Sequence, residues 1–146
     1  MKIHQLSLFL ENKPGQLTEP CRLLAQAGIN IRTLTLADTE EFGILRLIVS
    51  DWQKGARLLE DAAYVVNVTE VVAVEVPDRP GGLAELLAVF ENTDINIEYM
   101  YAFTFGRGDT AVMIFRFNQP DAAIEKLQSA GINVVGSSEV YTGIGK

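Results

Sequence analysis

Leu10-Glu11-Asn12-Lys13-Pro14-Gly15-Gln16-Leu17 is answered later in the chain by Val76-Pro77-Asp78-Arg79-Pro80-Gly81-Gly82-Leu83. The two Pro-Gly pairs stand 66 residues apart, and at the same offset Gly28-Ile29-Asn30-Ile31 falls on Asp94-Ile95-Asn96-Ile97. Further on the offset widens to 69, where Leu58 meets Leu127 and Glu70-Val71 meets Glu139-Val140. A recurring stretch of this length is the mark of a duplicated structural unit. The second copy therefore carries a short insertion, placed in Phe105-Gly106-Arg107-Gly108-Asp109. The boundary falls near Thr69 with no visible linker, which predicts domains at 1–69 and 70–146.

Within a copy the hydrophobic period gives the elements. Leu6, Leu8 and Leu10 alternate with Gln5, Ser7 and Phe9, so the first segment is a strand, and Ala73-Val74-Glu75-Val76 reads likewise. Leu83, Leu86, Leu87 and Phe90 follow the second Pro-Gly at i, i+3, i+4 and i+7, the apolar stripe of a helix. Leu17, Pro20, Cys21 and Leu24 take those places in copy one. Pro20 there implies an irregular first turn, or a start near Thr18 as N-cap. Two β-rich segments follow in each copy, 29–37 with 42–49 and 95–103 with 110–117. Asp38-Thr39-Glu40 and Gly106-Arg107-Gly108-Asp109 connect them as hairpins. Second helices are expected at 51–62, with Asp51 as N-cap, and at 120–130, with Pro120 in the first turn and Gly131 at the end. Short strands at 64–68 and 132–135 close the copies. Strand, helix, strand, strand, helix, strand is the split βαβ arrangement. It predicts an α+β chain of two ferredoxin-like βαββαβ domains, each an antiparallel four-stranded sheet with both helices on one face.

The chain has 146 residues, enough for one ordinary domain or two very small ones, and 48% of them are hydrophobic. Its net charge of −7 disfavours a phosphate backbone as partner. One cysteine, Cys21, cannot form an internal disulfide, which fits a reducing cytoplasm. With a single histidine, His4, it leaves no zinc or iron–sulfur ligand set, so no metal or other cofactor is expected. No N-terminal signal precedes the first strand, and no apolar run approaches the roughly 20 residues of a membrane helix.

Chemistry is sought at the turn between first strand and first helix, present twice. Pro14 and Pro80 stiffen the approach, while Gly15 and Gly81 permit backbone angles and ligand approach that a Cβ forbids. The next amides, at Gln16-Leu17 and Gly82-Leu83, lie at a helix start, where N–H groups lack intrahelical partners and favour an anion such as a carboxylate. Asn12 and Asp78 offer side-chain oxygens to an ammonium group. Asn30 and Asn96 start the next strand, expected to run adjacent to the turn. Such a set suits a zwitterionic amino acid. The same residues also suit a plain structural corner, and the turn alone does not decide between the two.

Asn12-Lys13-Pro14-Gly15-Gln16-Leu17 with Gly28-Ile29-Asn30-Ile31, and Asp78-Arg79-Pro80-Gly81-Gly82-Leu83 with Asp94-Ile95-Asn96-Ile97, resemble the signature of ACT domains. That signature is a polar residue, a variable or basic one, Pro, Gly and an apolar residue, with a later Gly-hydrophobic-Asn-Ile stretch. The resemblance covers essentially the whole chain twice, and is closest to small stand-alone proteins made only of two ACT domains. It implies regulatory amino-acid binding between ACT units at these turns. Ligand-contacting roles carry over to Asn12, Lys13, Gly15, Gln16, Leu17 and Asn30, and in copy two to Asp78, Arg79, Gly81, Gly82, Leu83 and Asn96. Asp78 departs from the Asn version: it favours a cation and repels a carboxylate, so the copies are not expected to be equivalent.

Tyr99-Met100-Tyr101-Ala102-Phe103 is the most distinctive aromatic segment. Alternation sets Tyr99, Tyr101 and Phe103 on one sheet face and Met100 on the other, so the tyrosines either line a pocket between copies or pack. Cys21 is expected in the core, Trp52 packed or half-exposed, Arg107-Gly108-Asp109 a hairpin turn and Glu40-Glu41 a solvated pair. His4 has no nucleophile or acid constellation around it. The sequence therefore predicts a non-enzymatic sensor with a small-molecule ligand, acting as a homodimer, on a regulated protein in trans, or both, with neither nucleic acid nor membrane as partner. The competing function is a protein–protein interaction module of the same fold that binds no ligand. RNA binding lacks the aromatic-plus-basic strand pattern, with Leu45-Arg46-Leu47 and Phe115-Arg116-Phe117 thin support. Acylphosphatase-type catalysis has only Arg79 as a candidate arginine near the turn.

Overall fold

The computed structural model describes residues 1–38, 41–104, 106 and 108–143. The chain divides into two compact units, one of His4–Thr69 and one of Met1–Ile3 with Glu70–Lys146. In chain order the elements are β1 (Ile3–Glu11), α1 (Thr18–Gln26), β2 (Ile31–Asp38), β3 (Phe42–Val49), α2 (Trp52–Asp61), β4 (Val66–Pro77), α3 (Gly82–Ala88), β5 (Ile97–Ala102), β6 (Thr110–Phe117), α4 (Pro120–Ser129) and α5 (Ser137–Thr142). The change of unit lies inside β4, after Thr69. The unit His4–Thr69 follows the βαββαβ order; the other follows βαββα, with a single bridge in place of the closing strand and then α5: two ferredoxin-like domains.

In the unit His4–Thr69, β3 lies antiparallel between β2 and β1, with Leu8 opposite Leu45 and Leu6 opposite Leu47. Alternation turns Leu6, Leu8 and Leu10 to one face, where Leu45, Leu47 and Val49 join them under Leu24 and Ile29 of the α1 arm and Ala56 and Leu59 of α2. Asp51 caps α2, its Oδ1 accepting from the Lys54 N–H at 3.1 Å. Asp51→Ala should cost about 1 kcal/mol, read as a lower urea midpoint with an unchanged slope. Trp52 is half-buried and stacks on His4, ring centroids 4.3 Å apart.

In the other unit β6 lies antiparallel between β4 and β5, with Val74 opposite Met113 and Val72 opposite Phe115. Val72, Val74, Val76, Phe115 and Phe117 pack under Leu86, Phe90, Ala123 and Leu127. Phe117 sits at the aromatic centre, 5.1 Å from Phe90 and 5.5 Å from Phe115.

Several expectations are corrected. The strand predicted at 64–68 begins at Val66 and runs on to Pro77. The one predicted at 132–135 shrinks to a bridge between Val74 and Val134, flanked by Glu75 N–H to Asn133 O and Val135 N–H to Ala73 O. After it the two copies part. Thr69-Glu70-Val71-Val72 is rich in β-branched residues and continues as strand, whereas Gly136-Ser137-Ser138-Glu139 starts a helix, with the acid in its first turn. Glu139-Val140 is thus helical and not the counterpart of Glu70-Val71.

The late offset is 68, not 69. Leu59 and Leu127 are both fully buried, and each accepts the returning amide past its helix, from Tyr64 and Ile132 respectively. Ala63 and Gly131, between helix and strand, share a positive φ of 73° and 76°. Leu59 therefore pairs with Leu127 and Tyr64 with Ile132.

The first helices also turn differently from expectation. The buried positions are Pro20 and Leu24 in α1 and, 66 residues on, Leu86 and Phe90. Leu17, Leu83 and Leu87 are 36–37% exposed, and Cys21 is half-buried, with burial holding its thiol pKa above the ordinary value. α1 starts at Thr18, which serves as its first residue and not as its cap. Asp38 is the last residue of β2; Thr39 and Glu40 of that hairpin, and Phe105 and Arg107 of the second, lie outside the described residues. The placements of Asp38-Thr39-Glu40, Glu40-Glu41, the insertion and the Arg107-Gly108-Asp109 turn therefore stand on sequence in part.

Candidate functional site

The first turn is held from both sides. Asn12 donates its N–H to the Glu41 carbonyl at 3.0 Å, Lys13 donates to the Glu11 carbonyl at 2.9 Å, and Gly15 takes φ 85°. The Gln16 amide turns back to the Lys13 carbonyl at 3.4 Å, so it closes the corner. A small cleft of about 70 Å³ opens beside it. Asn12, Lys13, Gln16 and Leu17 line it from the turn, Leu10 and Glu11 from β1, and Leu36, Asp38 and Gly43 from the hairpin of β2 and β3. The Lys13 ammonium lies 2.7 Å from the Glu11 carboxylate, and their mutual hydrogen bond raises the lysine pKa and lowers that of the glutamate.

The second turn repeats the frame. Asp78 donates its N–H to the Asp109 carbonyl at 2.9 Å, Gly81 takes φ 84°, and the Gly82 amide closes on the Arg79 carbonyl at 3.0 Å. Its charges differ. Arg79 grips Glu85 with both guanidinium nitrogens, at 3.0 and 2.7 Å. Glu85 lies in the first turn of α3, where a negative charge is favoured. The same grip occupies the one arginine considered for acylphosphatase-type chemistry.

Asn30 and Asn96 do not join these turns within their units, contrary to expectation. Asn30 exchanges hydrogen bonds with Ser50, its N–H to the serine Oγ at 3.0 Å and its carbonyl accepting the Ser50 N–H at 2.9 Å. Ser50 follows β3, whereas the turn lies by Phe42 at the other end of that strand, about 25 Å away at a rise of ~3.3 Å per residue. Asn96 is fixed the same way by Asn118, at 2.8 and 3.1 Å. The reason is strand direction: β2 and β5 start at the sheet end opposite the turn and reach it only as they finish. That places Leu36 and Asp38 in the cleft, two residues read from sequence as strand and hairpin. The register brings them there: Asp38 pairs with Gly43 and Glu11 with Phe42.

Tyr99 and Tyr101 are half-buried on β5, opposite Arg116 and Ile114, and neither lines the first-turn cleft. A register shift between Ile97 and Tyr99 lets Ile97 and Met100 both pack on the core despite their odd spacing. Among the described residues no three His, Cys, Asp or Glu side chains gather to hold a metal ion, and no helix is long and apolar enough to cross a membrane.

This geometry has relatives. A crystallised protein of Bacteroides thetaiotaomicron superposes with a TM-score of 0.89 at 40% identity, over 97% of this chain and 96% of that one. The regulatory subunit of aspartate kinase from Thermus thermophilus superposes with a TM-score of 0.61 at 18% identity, over 87% of this chain and 91% of its own, a likeness of fold. The acetolactate synthase small subunit of Buchnera aphidicola subsp. Baizongia pistaciae is 31% identical over 77 residues, 49% of this chain. That match spans about half, 48%, of the Buchnera protein's length. The model of the ACT domain pair matches residues 1–142, and the chain belongs to that family.

Proposed function

We propose that this chain is a non-enzymatic sensor of a free amino acid, which it holds between ACT units at the strand-to-helix turns, with the first turn as the working site. The observation that carries this is the first-turn cleft, where Glu11, Asn12 and Asp38 can accept from an ammonium group and Lys13, paired with Glu11 at 2.7 Å, keeps further donors for a carboxylate. The regulatory subunits among its structural neighbours and the acetolactate synthase small subunit support a regulatory role for this chain, acting on a protein in trans or through a homodimer. A ligand passes a signal only through its differential affinity for two arrangements of the assembly. Asp78 and Glu85 make the second turn the poorer carboxylate site, so binding should saturate near one ligand per chain.

Calorimetric titration with each of the twenty amino acids tests this. One of them should give a saturable signal, and Asn12→Ala should weaken it at least about tenfold, since a hydrogen bond to a charged group contributes about 1.5–3 kcal/mol. Asn30 cannot reach the cleft from its own unit; loss of binding in Asn30→Ala would mean that another ACT unit supplies it. Absence of binding by all twenty to the folded protein would overturn the proposal. The alternative, an interaction module without ligand, has one observation in its favour. Leu34 and Leu36 on the edge strand β2 stay 40% and 50% exposed. It predicts self-association or partner capture lost in Leu34→Lys, with no amino acid bound.

A further inference from the structure

The two units differ in one place where duplication leaves a template. In the first unit Tyr64 follows α2, packs on the core and feels the charges of Glu19 and Arg22 on α1. Its ring is half-buried there. In the second unit the same place belongs to Ile132, as the shared turn geometry of Leu59 and Leu127 shows. Ile132 has neither the ring nor the hydroxyl. Beside it Glu85 stands where Glu19 does, while Leu86, Ala88 and Val89 replace Pro20, Arg22 and Leu23, and Glu75 replaces Phe9.

An open cavity of about 240 Å³ remains there, walled by Leu86, Val89, Ala130 and Ile132, with Glu75 and Glu85 at its rim. An apolar cavity of about 150 Å³ is enough to take benzene. Glu75, positioned by Asn133 Nδ2 at 3.0 Å, can accept from a hydroxyl donor, and Glu85, held through both oxygens by Arg79, keeps lone pairs that can do so as well. We infer that this cavity of the second unit is a binding site for a small para-substituted phenol, whose ring takes the place that the Tyr64 ring holds in the first unit and whose hydroxyl donates to a rim carboxylate. The site is separate from the first-turn cleft and does not depend on amino-acid binding there.

The probe is p-cresol, the side chain of tyrosine as a free molecule, titrated into the whole protein and followed by amide proton–nitrogen correlation spectra. Saturable shifts should appear at Glu75, Val89 and Ile132. Ile132→Tyr, which copies the first unit, should weaken binding at least about tenfold. Val89→Phe fills the same space from α3 and should do likewise, so the inference remains testable if one variant fails to fold. In the reciprocal arm, Tyr64→Ala should create a second p-cresol site and raise its own melting temperature when p-cresol is added. Absence of saturable shifts at low-millimolar p-cresol, or unchanged affinity in either folded filled variant, would overturn the inference. Neither result bears on the amino-acid titration, which Asn12→Ala reports separately.

Discussion

Phe117→Ala should lower the stability of the second unit by about 3–5 kcal/mol, the usual cost of removing a large buried aromatic ring. Phe117 is fully buried between Phe90 and Phe115 and lies opposite Ile97 in the sheet. Truncation removes two ring–ring contacts together with the apolar burial, and a β-strand position anchored on both sides has little room to collapse into the void. Amide exchange of β4 and β6 should accelerate strongly. Exchange in β1 and β3, whose core is made of other side chains, should change much less. Equal acceleration in both units would show that they unfold as one.

Gly82→Ala should cost the same unit about 3 kcal/mol, at the upper end for overpacking. A Cβ at Gly82 would collide with the Pro77 carbonyl oxygen and stand 3.0 Å from its carbon, and backbone cannot swing aside as a side chain can. The change must push α3 off the end of β4, and with it Leu86, which is 2% exposed in the core. The first unit supplies the contrast. Gln16 holds the corresponding place, and α1 starts two residues later relative to its Pro-Gly than α3 does. Gln16→Ala should therefore change stability by only about 0.5 kcal/mol. Thermal melting of the two variants side by side checks the pair of expectations. A benign Gly82→Ala would mean that the turn relaxes without moving α3.

The sequence made the fold readable because duplication states each element twice. Leu6, Leu8 and Leu10 alternate, Asp51 precedes a helix, and two Pro-Gly corners fix where the copies begin. Three things were hidden, each for a physical reason. A stripe at i, i+3, i+4 and i+7 is wider than the buried seam of a short helix, so Leu83 and Leu87 share the period of the buried Leu86 and Phe90 while staying partly exposed. A one-residue difference in offset rotates a helix by about 100°, which separates Leu58 from the buried Leu59. The site was half legible: Asn12, Lys13, Gln16 and Leu17 do share a cleft, while Asn30 lies at the far end of the sheet and Leu36 and Asp38 take its place. Which end of a strand meets a turn follows from antiparallel pairing, and a linear motif does not carry that information.

The contact between Trp52 and His4 has an optical consequence. Trp52 is the only tryptophan of the chain, and it stacks on the imidazole at an interplanar angle of 18° within the unit His4–Thr69. Excited selectively, its emission is a signal from the first unit alone. The protein thus carries a native fluorophore in the unit that holds the first-turn cleft, and no label is needed to watch that unit by itself.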